Sequence, residues 1–516
     1  MRASPVHVVR VVAAFFMLVL ALGARAGADP ASERAASVYL DGVRSTPLAL
    51  RRFMQELPKG ADLHNHASGA VYAERLIDWA AADGLCVDAY TFVQCSIGLD
   101  LNSGGRVANA IKQSGFRDRL IDALSMRLFV PGTESGHDHF FNAFGKFGAA
   151  TWAHGPQIVA EAVRQAAEDR VDYLELMITF GNGPAWKALT NAVADNADFD
   201  KLRAALTANG RFAKAVDEAA SELQITETKR NAELHCDREG ASRPAACDVQ
   251  LRYIEQVSRN ADHVSVFART MLGFALARRD ERLVGVNFVS PEDGTISVRD
   301  YALHMRMIAY LRRTLGDVPV SLHAGELTLG LVPRAVLDDH IDLAVNVAGA
   351  RRIGHGVDIA YERNEPALLA TMASRSVLVE IALTSNDVIL GVRGAEHPVN
   401  LYLQAGVPIA LVTDDEGVSR IDLSNEFVRA ARDYAFSYAT LKRFVRNSVE
   451  YAFVKGKSLW DDEAAGRPVA ACATLPATDA CRQFLAANLR ASVQWKVERE
   501  LDAFETSVVA PQSPRR

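Results

Sequence analysis

The chain has 516 residues, 49% of them hydrophobic and 23% charged, an ordinary globular composition that excludes disordered, collagen-like and coiled-coil classes. Its 57 basic residues face 63 acidic ones, a formal charge of −6. No cationic excess exists to neutralise phosphates, so neither a nucleic-acid partner nor an anionic membrane surface is expected.

Arg2 and Arg10 precede an apolar run, Val11 to Leu22, which ends at Ala24-Arg25-Ala26. A basic start, a short apolar middle and an A-x-A exit predict a cleaved secretory signal peptide over 1–26; an anchoring helix needs about 20 apolar residues. The mature protein is then exported, periplasmic or secreted, with no membrane partner. Residues 27–56 read as a polar, helical N-terminal extension. The six cysteines are spaced as Cys86/Cys95, Cys236/Cys247 and Cys472/Cys481. In an oxidising compartment three local disulfides are the simplest arrangement, and no C-x-x-C spacing offers a cysteine zinc site.

From residue 57 onward, β-rich runs alternate with helical patterns. The predicted strands are 60–65, 171–177, 264–270, 283–289, 318–323, 352–355, 376–382 and 407–413, with amphipathic helices such as 298–315 and 335–348 between them. Several runs are continuously apolar, the mark of a parallel strand buried on both faces. Eight such strands with helical crossovers predict an α/β fold, a (β/α)8 TIM barrel over 57–457. A doubly wound open sheet is the alternative, but no G-x-G-x-x-G turn follows the first strand. Two connections, 67–170 and 178–263, are long insertions, each holding a cysteine pair, and long excursions on a barrel tend to form lids. Residues 458–516 carry the third pair and a helical stretch, 483–505, and read as a C-terminal helical extension. Oligomeric state has no signature in the sequence.

Four clusters fall at the C-terminal ends of predicted strands, where barrel enzymes build their sites. His64-Asn65-His66 closes the first, and alternation along a strand turns both imidazoles to one side. His323-Ala324-Gly325-Glu326 ends the fifth, with a glycine that lets backbone approach a ligand. Gly354-His355-Gly356 ends the sixth and Asp414-Asp415 the eighth; adjacent carboxylates are costly if buried unpaired. Taken singly each cluster is polar punctuation; together they point to one cation. Three histidines and a carboxylate suit zinc, which lowers the pKa of bound water to about 7. Glu326, His355 and Asp415 are left for proton handling. A second H-x-H, His137-Asp138-His139, opens a helical run in which i and i+2 diverge by about 200°, so it reads as structural or lid-forming. Glu380, a charge within an apolar strand, needs a structural partner.

The motifs PKGADLHNH, SLHAGE, RIGHG, a segment with Thr384-Ser385-Asn386, and LVTDD followed by LSNEFVRAARDY resemble the adenosine deaminase family of the amidohydrolase superfamily. They occur in family order over about residues 55–455, the ends and cysteine loops lying outside the match, and the chain resembles the family's exported, growth-factor-type branch. The resemblance implies one zinc ion held by His64, His66, His323 and Asp414, whose hydroxide adds to purine C6 with loss of ammonia. It further implies that Glu326 protonates ring N1, that His355 orients and helps deprotonate the attacking water, and that Asp415 binds the hydroxide and the purine's imidazole edge. Ser385 and Asn386 would support these groups from behind. The implied substrate is a 6-aminopurine nucleoside, adenosine or 2′-deoxyadenosine.

Substrate contacts are expected from Ser68, Gly69, Ser290, Gly325 and Asp415. Ser68 stands where the family has an aspartate for the 5′-hydroxyl, losing charge-assisted strength. Ser290 stands where a glycine amide reads purine N3, and Glu416-Gly417 replace the proline after the double aspartate. Phe140, Phe141 and Phe144 resemble the family's aromatic lid, with ordinary helix packing as the equal alternative. Binuclear amidohydrolases need a bridging lysine after the fourth strand, and Ser290-Pro291-Glu292-Asp293 has none. A C-x-x-C deaminase and a G-x-S-x-G hydrolase lack their motifs. Two readings remain beside adenosine deamination. One is action on another aminopurine or an N6-substituted adenine. The other is an exported nucleoside-binding or signalling protein without turnover, which loss of Glu326 or of a ligand would mark. No arginine cluster marks a phosphate site, so AMP is the weaker candidate.

Overall fold

The computed structural model describes residues 30–95, 104–463 and 466–509; the expected signal peptide and the QSPRR end lie outside the described residues. Eight parallel strands organise the chain. Strands β1 (Gly60–His66), β2 (Val171–Ile178), β3 (Gln250–Ser258) and β4 (Leu283–Val289) form one sheet in that order. Strands β5 (Ser321–Ala324), β6 (Arg352–His355), β7 (Leu378–Ile381) and β8 (Ile409–Leu411) form the other. Single parallel bridges, Asn65 with Asp414 and Val286 with Val320, link the two sheets at both seams, without a continuous ladder at either. At the first seam the Asp414 N–H donates to the His64 carbonyl at 2.8 Å, which ties the two ends of the chain's chemistry to each other.

The strands are buried on both faces, as their apolar runs predicted. Leu63, Leu174, Leu176, Val286, Leu322, Ile353, Val379 and Ile409 have no exposed surface, each worth roughly 1.5–3 kcal/mol of burial. One strand was misplaced by the sequence reading. Residues 264–270 are not a strand but part of a helix, His263–Arg279, started by Asp262, whose carboxylate accepts the Ser265 N–H. Its run looks like a buried strand because Val266, Phe267, Ala268, Thr270 and Met271 are all buried. The true third strand, QLRYIEQVS, hides its character behind charges: Glu255 is fully buried and lies 3.4 Å from Arg269 of that following helix. Likewise 335–348 is not one helix but a 3-10 turn (Arg334–Asp338), one α-turn (His340–Leu343) and a π-turn (Ala344–Ala348).

In chain order, α1 (Pro30–Val43) and α2 (Pro47–Glu56) precede β1. The first insertion holds a small antiparallel sheet of Cys86–Asp88, Thr91–Val93 and Gly104–Arg106. It goes on through α3 (Gly136–Thr151), capped by Ser135, whose side chain accepts the Asp138 N–H, and a helix over Gly155–Glu168. The misplaced helix His263–Arg279 is α4, Thr295–Leu315 is α5, and α6 (Leu489–Val509) closes the described chain. The N- and C-terminal helices meet: Phe53 packs edge-on against Phe504, and Lys442 reaches both Glu33 (2.9 Å) and Glu505 (2.7 Å). Cys86–Cys95, Cys236–Cys247 and Cys472–Cys481 are bonded as expected. No helix among the described residues is long and apolar enough to cross a membrane.

Candidate active site

The four strand-end clusters converge. His64 and His66 leave β1 on the same side. The Nδ1 of His64 donates to Glu380 Oε2 at 2.7 Å, and Glu380 also takes Arg352 Nε at 2.6 Å and Ser321 Oγ at 2.9 Å. Glu380 thus has the partners its burial demands, and it turns the His64 Nε2 toward Asp414 Oδ1, 3.6 Å away. The Nδ1 of His66 donates to Gln256 Oε1 at 2.6 Å. His323 Nδ1 donates to Asn287 Oδ1 at 2.8 Å, and the same oxygen accepts the His323 backbone N–H, fixing which end of the amide faces the ring.

Both rings therefore carry their hydrogen on Nδ1. Burial, above all, holds His66 down to about 4 and His323 well below the usual imidazole range. Their neutral Nε2 lone pairs face each other at 3.2 Å, with Asp414 Oδ1 at 3.4 Å from His66 Nε2. Against burial, the neighbouring imidazoles of His64, His355 and His66 keep Asp414 ionised, and Ser385 Oγ donates to its other oxygen at 2.6 Å. The Nε2 of His64 is buried without a hydrogen-bond partner. Facing lone pairs, an unpartnered ring nitrogen and a carboxylate fit a cation, and a nitrogen-rich set fits zinc.

His355 lies equally near: donor atoms of His64, His323, His355 and Asp414 fall within 4.8 Å of one another, as do those of His66, Asp414 and Asp415. Hydrogen bonding separates the two candidate histidines. The Val399 N–H donates to His397 Nδ1 at 3.2 Å, so His397 donates from Nε2 to Asn386 Oδ1 at 3.0 Å. Asn386 Nδ2 then donates to His355 Nδ1 at 2.9 Å. The neutral His355 ring keeps its hydrogen on Nε2, which points into the site 3.7 Å from Glu326 Oε1. In that tautomer it can donate to an oxygen but cannot bind a metal, whereas His66 can.

Burial, then the charge of Asp414, pushes the Glu326 carboxyl up to about 8. The same two causes hold a proton on Asp415, whose Oδ1 is buried without a partner. These groups wall a cavity of about 330 Å³, within the range of small-ligand sites. His66, Ser68, Gln256, Ser290, His323, Glu326, His355, Asp414 and Asp415 line its polar side, and Phe140, Phe141 and Phe144 of α3 its aromatic side. Val289 and Pro291 complete the wall, and no lysine or arginine among the described residues lines it. His355, Asp414 and Ser290 all have left-handed φ, at 69°, 63° and 82°, conformations that cluster at functional sites.

Ser68, Ser290, Phe140 and Phe144 thus line the cavity, but two expected contacts do not. Gly325 donates its N–H to Glu292 Oε1 at 3.1 Å, away from the cavity; its φ of 76° swings Glu326 over the site instead. Gly69 stands behind Asp415, where a Cβ would come within 1.8 Å of Asp415 Oδ1. His137 and His139 anchor the start of α3, His137 Nε2 pairing with Asp293 at 3.0 Å and His139 Nδ1 with Glu134 at 2.9 Å. The sequence reading missed Gln256, which sits on the unrecognised third strand, and Asn287 and His397, which have no local signature.

The adenosine deaminase family model matches residues 153–459. An aminodeoxyfutalosine deaminase of Streptomyces coelicolor is 36% identical over 188 residues, 36% of this chain and 44% of that one. An adenosine deaminase of Shewanella loihica is 36% identical over 136 residues, 26% of this chain and 38% of that one. Each match therefore spans less than half of the relative's length. Among solved structures, Arabidopsis ADAL complexed with IMP superposes with a TM-score of 0.54 at 17% identity, covering 87% of this chain and 99% of that one. An amidohydrolase from Burkholderia ambifaria with bound zinc does so with a TM-score of 0.51 at 16% identity, covering 89% and 95%. At such identities the likeness is one of fold. With the family match running over more than half its length, this chain belongs to the adenosine deaminase family.

Proposed function

We propose that this protein is an exported, zinc-dependent hydrolytic deaminase of 6-aminopurine nucleosides, converting adenosine and 2′-deoxyadenosine to their inosine counterparts with release of ammonia. The observation that carries this reading is the buried convergence of His64, His66, His323 and Asp414 at a cavity that Glu326 lines. Those four residues would hold the ion. When bound, zinc supplies Lewis acidity that makes water a nucleophile near neutral pH.

The chain's own groups do the rest. Glu326 keeps its proton below about pH 8 and gives it to ring N1 as electrons arrive there. Asp415, also protonated, donates to N7, an acceptor on the imidazole edge, and so holds the ring. His355 donates from Nε2 to the attacking oxygen. It therefore orients that oxygen, narrowing the role the resemblance implied. The Glu326 carboxylate left after protonating N1 takes the oxygen's two protons in turn, passing the first to the departing amino group and keeping the second in place of the one it gave to N1. The three phenylalanines cover the base and exclude water, which strengthens each polar contact. Ser68 and Ser290 face the sugar end.

No lysine or arginine among the described residues lines the cavity, which favours nucleosides over nucleotides, since a 5′-phosphate would enter unpaired. The eight strands and their two bridged seams support a closed (β/α)8 barrel. The three disulfides and the N-terminal motif support a periplasmic or secreted location and the exported, growth-factor-type branch. A second reading, deamination of an N6-substituted or larger adenine derivative, draws on the uncharged Ser68 at the sugar end. Ammonia release by mature, zinc-loaded protein across a panel of 6-aminopurines separates these. Turnover of adenosine is expected. Turnover of none, with one zinc bound, would leave only the non-catalytic reading.

A further inference from the structure

Glu292 stands in the loop after β4, behind the cavity wall, and its side chain is fully buried. It grips one short stretch of backbone with both oxygens: Oε1 accepts the Gly325 N–H at 3.1 Å and Oε2 the Glu326 N–H at 2.9 Å. Two successive amides converging on one anion form a nest, here filled by the protein's own carboxylate. The Gly325 carbonyl is held from the other side by the N–H groups of Val357 (2.8 Å) and Asp358 (3.1 Å). A side chain at Gly325 is excluded, since its Cβ would lie 2.3 Å from Asp358 Oδ1.

Glu292 is itself held in place. His340 Nδ1 donates to Oε1 at 2.6 Å, and Arg259 Nη1 lies 3.6 Å from Oε2. Arg259 also donates to the His323 carbonyl at 3.0 Å and to the Ser290 carbonyl at 2.8 Å. His340 is stacked on Tyr301, ring centroids 3.7 Å apart, and the Tyr301 hydroxyl donates to the His340 carbonyl at 2.9 Å. A buried carboxylate is costly unless paired and hydrogen-bonded; this one has His340 and Arg259 beside it, and each of its oxygens also accepts an amide of the peptide that carries Glu326.

We propose that Glu292 is a positioning residue for proton transfer: it fixes the backbone from which the Glu326 carboxyl reaches the purine, and Arg259 and His340 hold it to that task. The proposal rests on the reading of Glu326 as the proton donor. Glu292 does not line the cavity, so it acts through Glu326 and not on the substrate.

The test is Glu292→Gln. Its amide has one acceptor oxygen, so one of the two N–H groups would face another donor. In the zinc-loaded enzyme kcat is expected to fall about 10- to 100-fold, the usual effect of losing a supporting contact, with KM for adenosine and zinc content unchanged. Hydrogen exchange of the Gly325 and Glu326 amides should quicken while exchange elsewhere stays the same. In a Glu326→Gln background, Glu292→Gln should add no further loss, because the group it positions is gone. Multiplied losses in the double variant, or unaltered exchange at the two amides, would overturn the proposal. If no purine is turned over at all, the functional reading fails, and the exchange measurement still decides whether Glu292 holds this backbone. Should Glu292→Gln not fold, His340→Gln loosens the carboxylate without unpairing the amides. A smaller kcat loss that vanishes in the Glu326→Gln background supports the proposal, and an unchanged kcat refutes it.

Discussion

Replacing Gly69 with alanine probes the site through one methyl group. The added Cβ would lie 1.8 Å from Asp415 Oδ1, 2.4 Å from its Cγ and 2.6 Å from its Cβ. Ordinary contact begins at 3.4 Å. The Asp415 carboxyl must therefore retreat by roughly 1.6 Å, because Gly69 sits in a buried turn directly after β1. A misplacement of about 1 Å at a reacting centre can cost about 100-fold in rate, or about 2.7 kcal/mol of transition-state stabilisation. The three atoms nearest the added methyl all belong to Asp415 and none to its neighbour Asp414, so zinc content should hold while kcat/KM for adenosine falls about 100-fold. The assay is initial-rate ammonia release with metal analysis of the same sample. Gly42→Ala, where a Cβ meets nothing within 4 Å, is the control and should leave the rate unchanged. A Gly69→Ala enzyme with near-normal kcat/KM would refute the role given to Asp415 in holding the purine.

Further outcomes follow from the same geometry. Glu326→Gln keeps the carboxyl's shape but cannot give up a proton; turnover should drop by about three orders of magnitude or more with zinc retained, and a near-normal rate would show the proton donor to be misassigned. Because Glu326 is held up at about 8, the protonated, competent form predominates below that pH. The kcat–pH profile should therefore fall on its alkaline side, and a rate still rising through pH 9 would contradict the assignment. Glu380→Gln removes the charge that orients His64 and should weaken zinc binding about 10- to 100-fold, read by competition with a chelator; unchanged affinity would mean that Arg352 alone needs Glu380.

The strand-end clusters were legible because their chemistry is local: two histidines at i and i+2, a glycine before Glu326, paired aspartates after an apolar run. What holds those groups was not. Gln256 went unseen because its strand carries Arg252 and Glu255, and Glu255 finds its countercharge only on the next helix, at Arg269. That helix in turn imitated a strand because it is buried nearly all round. Asn287, Glu292, His340 and His397 have no sequence signature; each acquires its role by meeting a partner from another strand end. The expected substrate contact of Gly325 failed for a related reason. The sequence showed a residue free to turn, but only the fold shows that its amide turns toward Glu292.

The central claim is that residues far apart in the chain share one ion. A crystal of the zinc-loaded protein, with diffraction recorded above and below the zinc absorption edge, tests it most directly. One anomalous peak is predicted within about 2.0–2.2 Å of Nε2 of His64, His66 and His323 and of an Asp414 oxygen, with His355 outside the coordination shell. A peak ligated by His355 in place of His66, or none in this cavity, would contradict it.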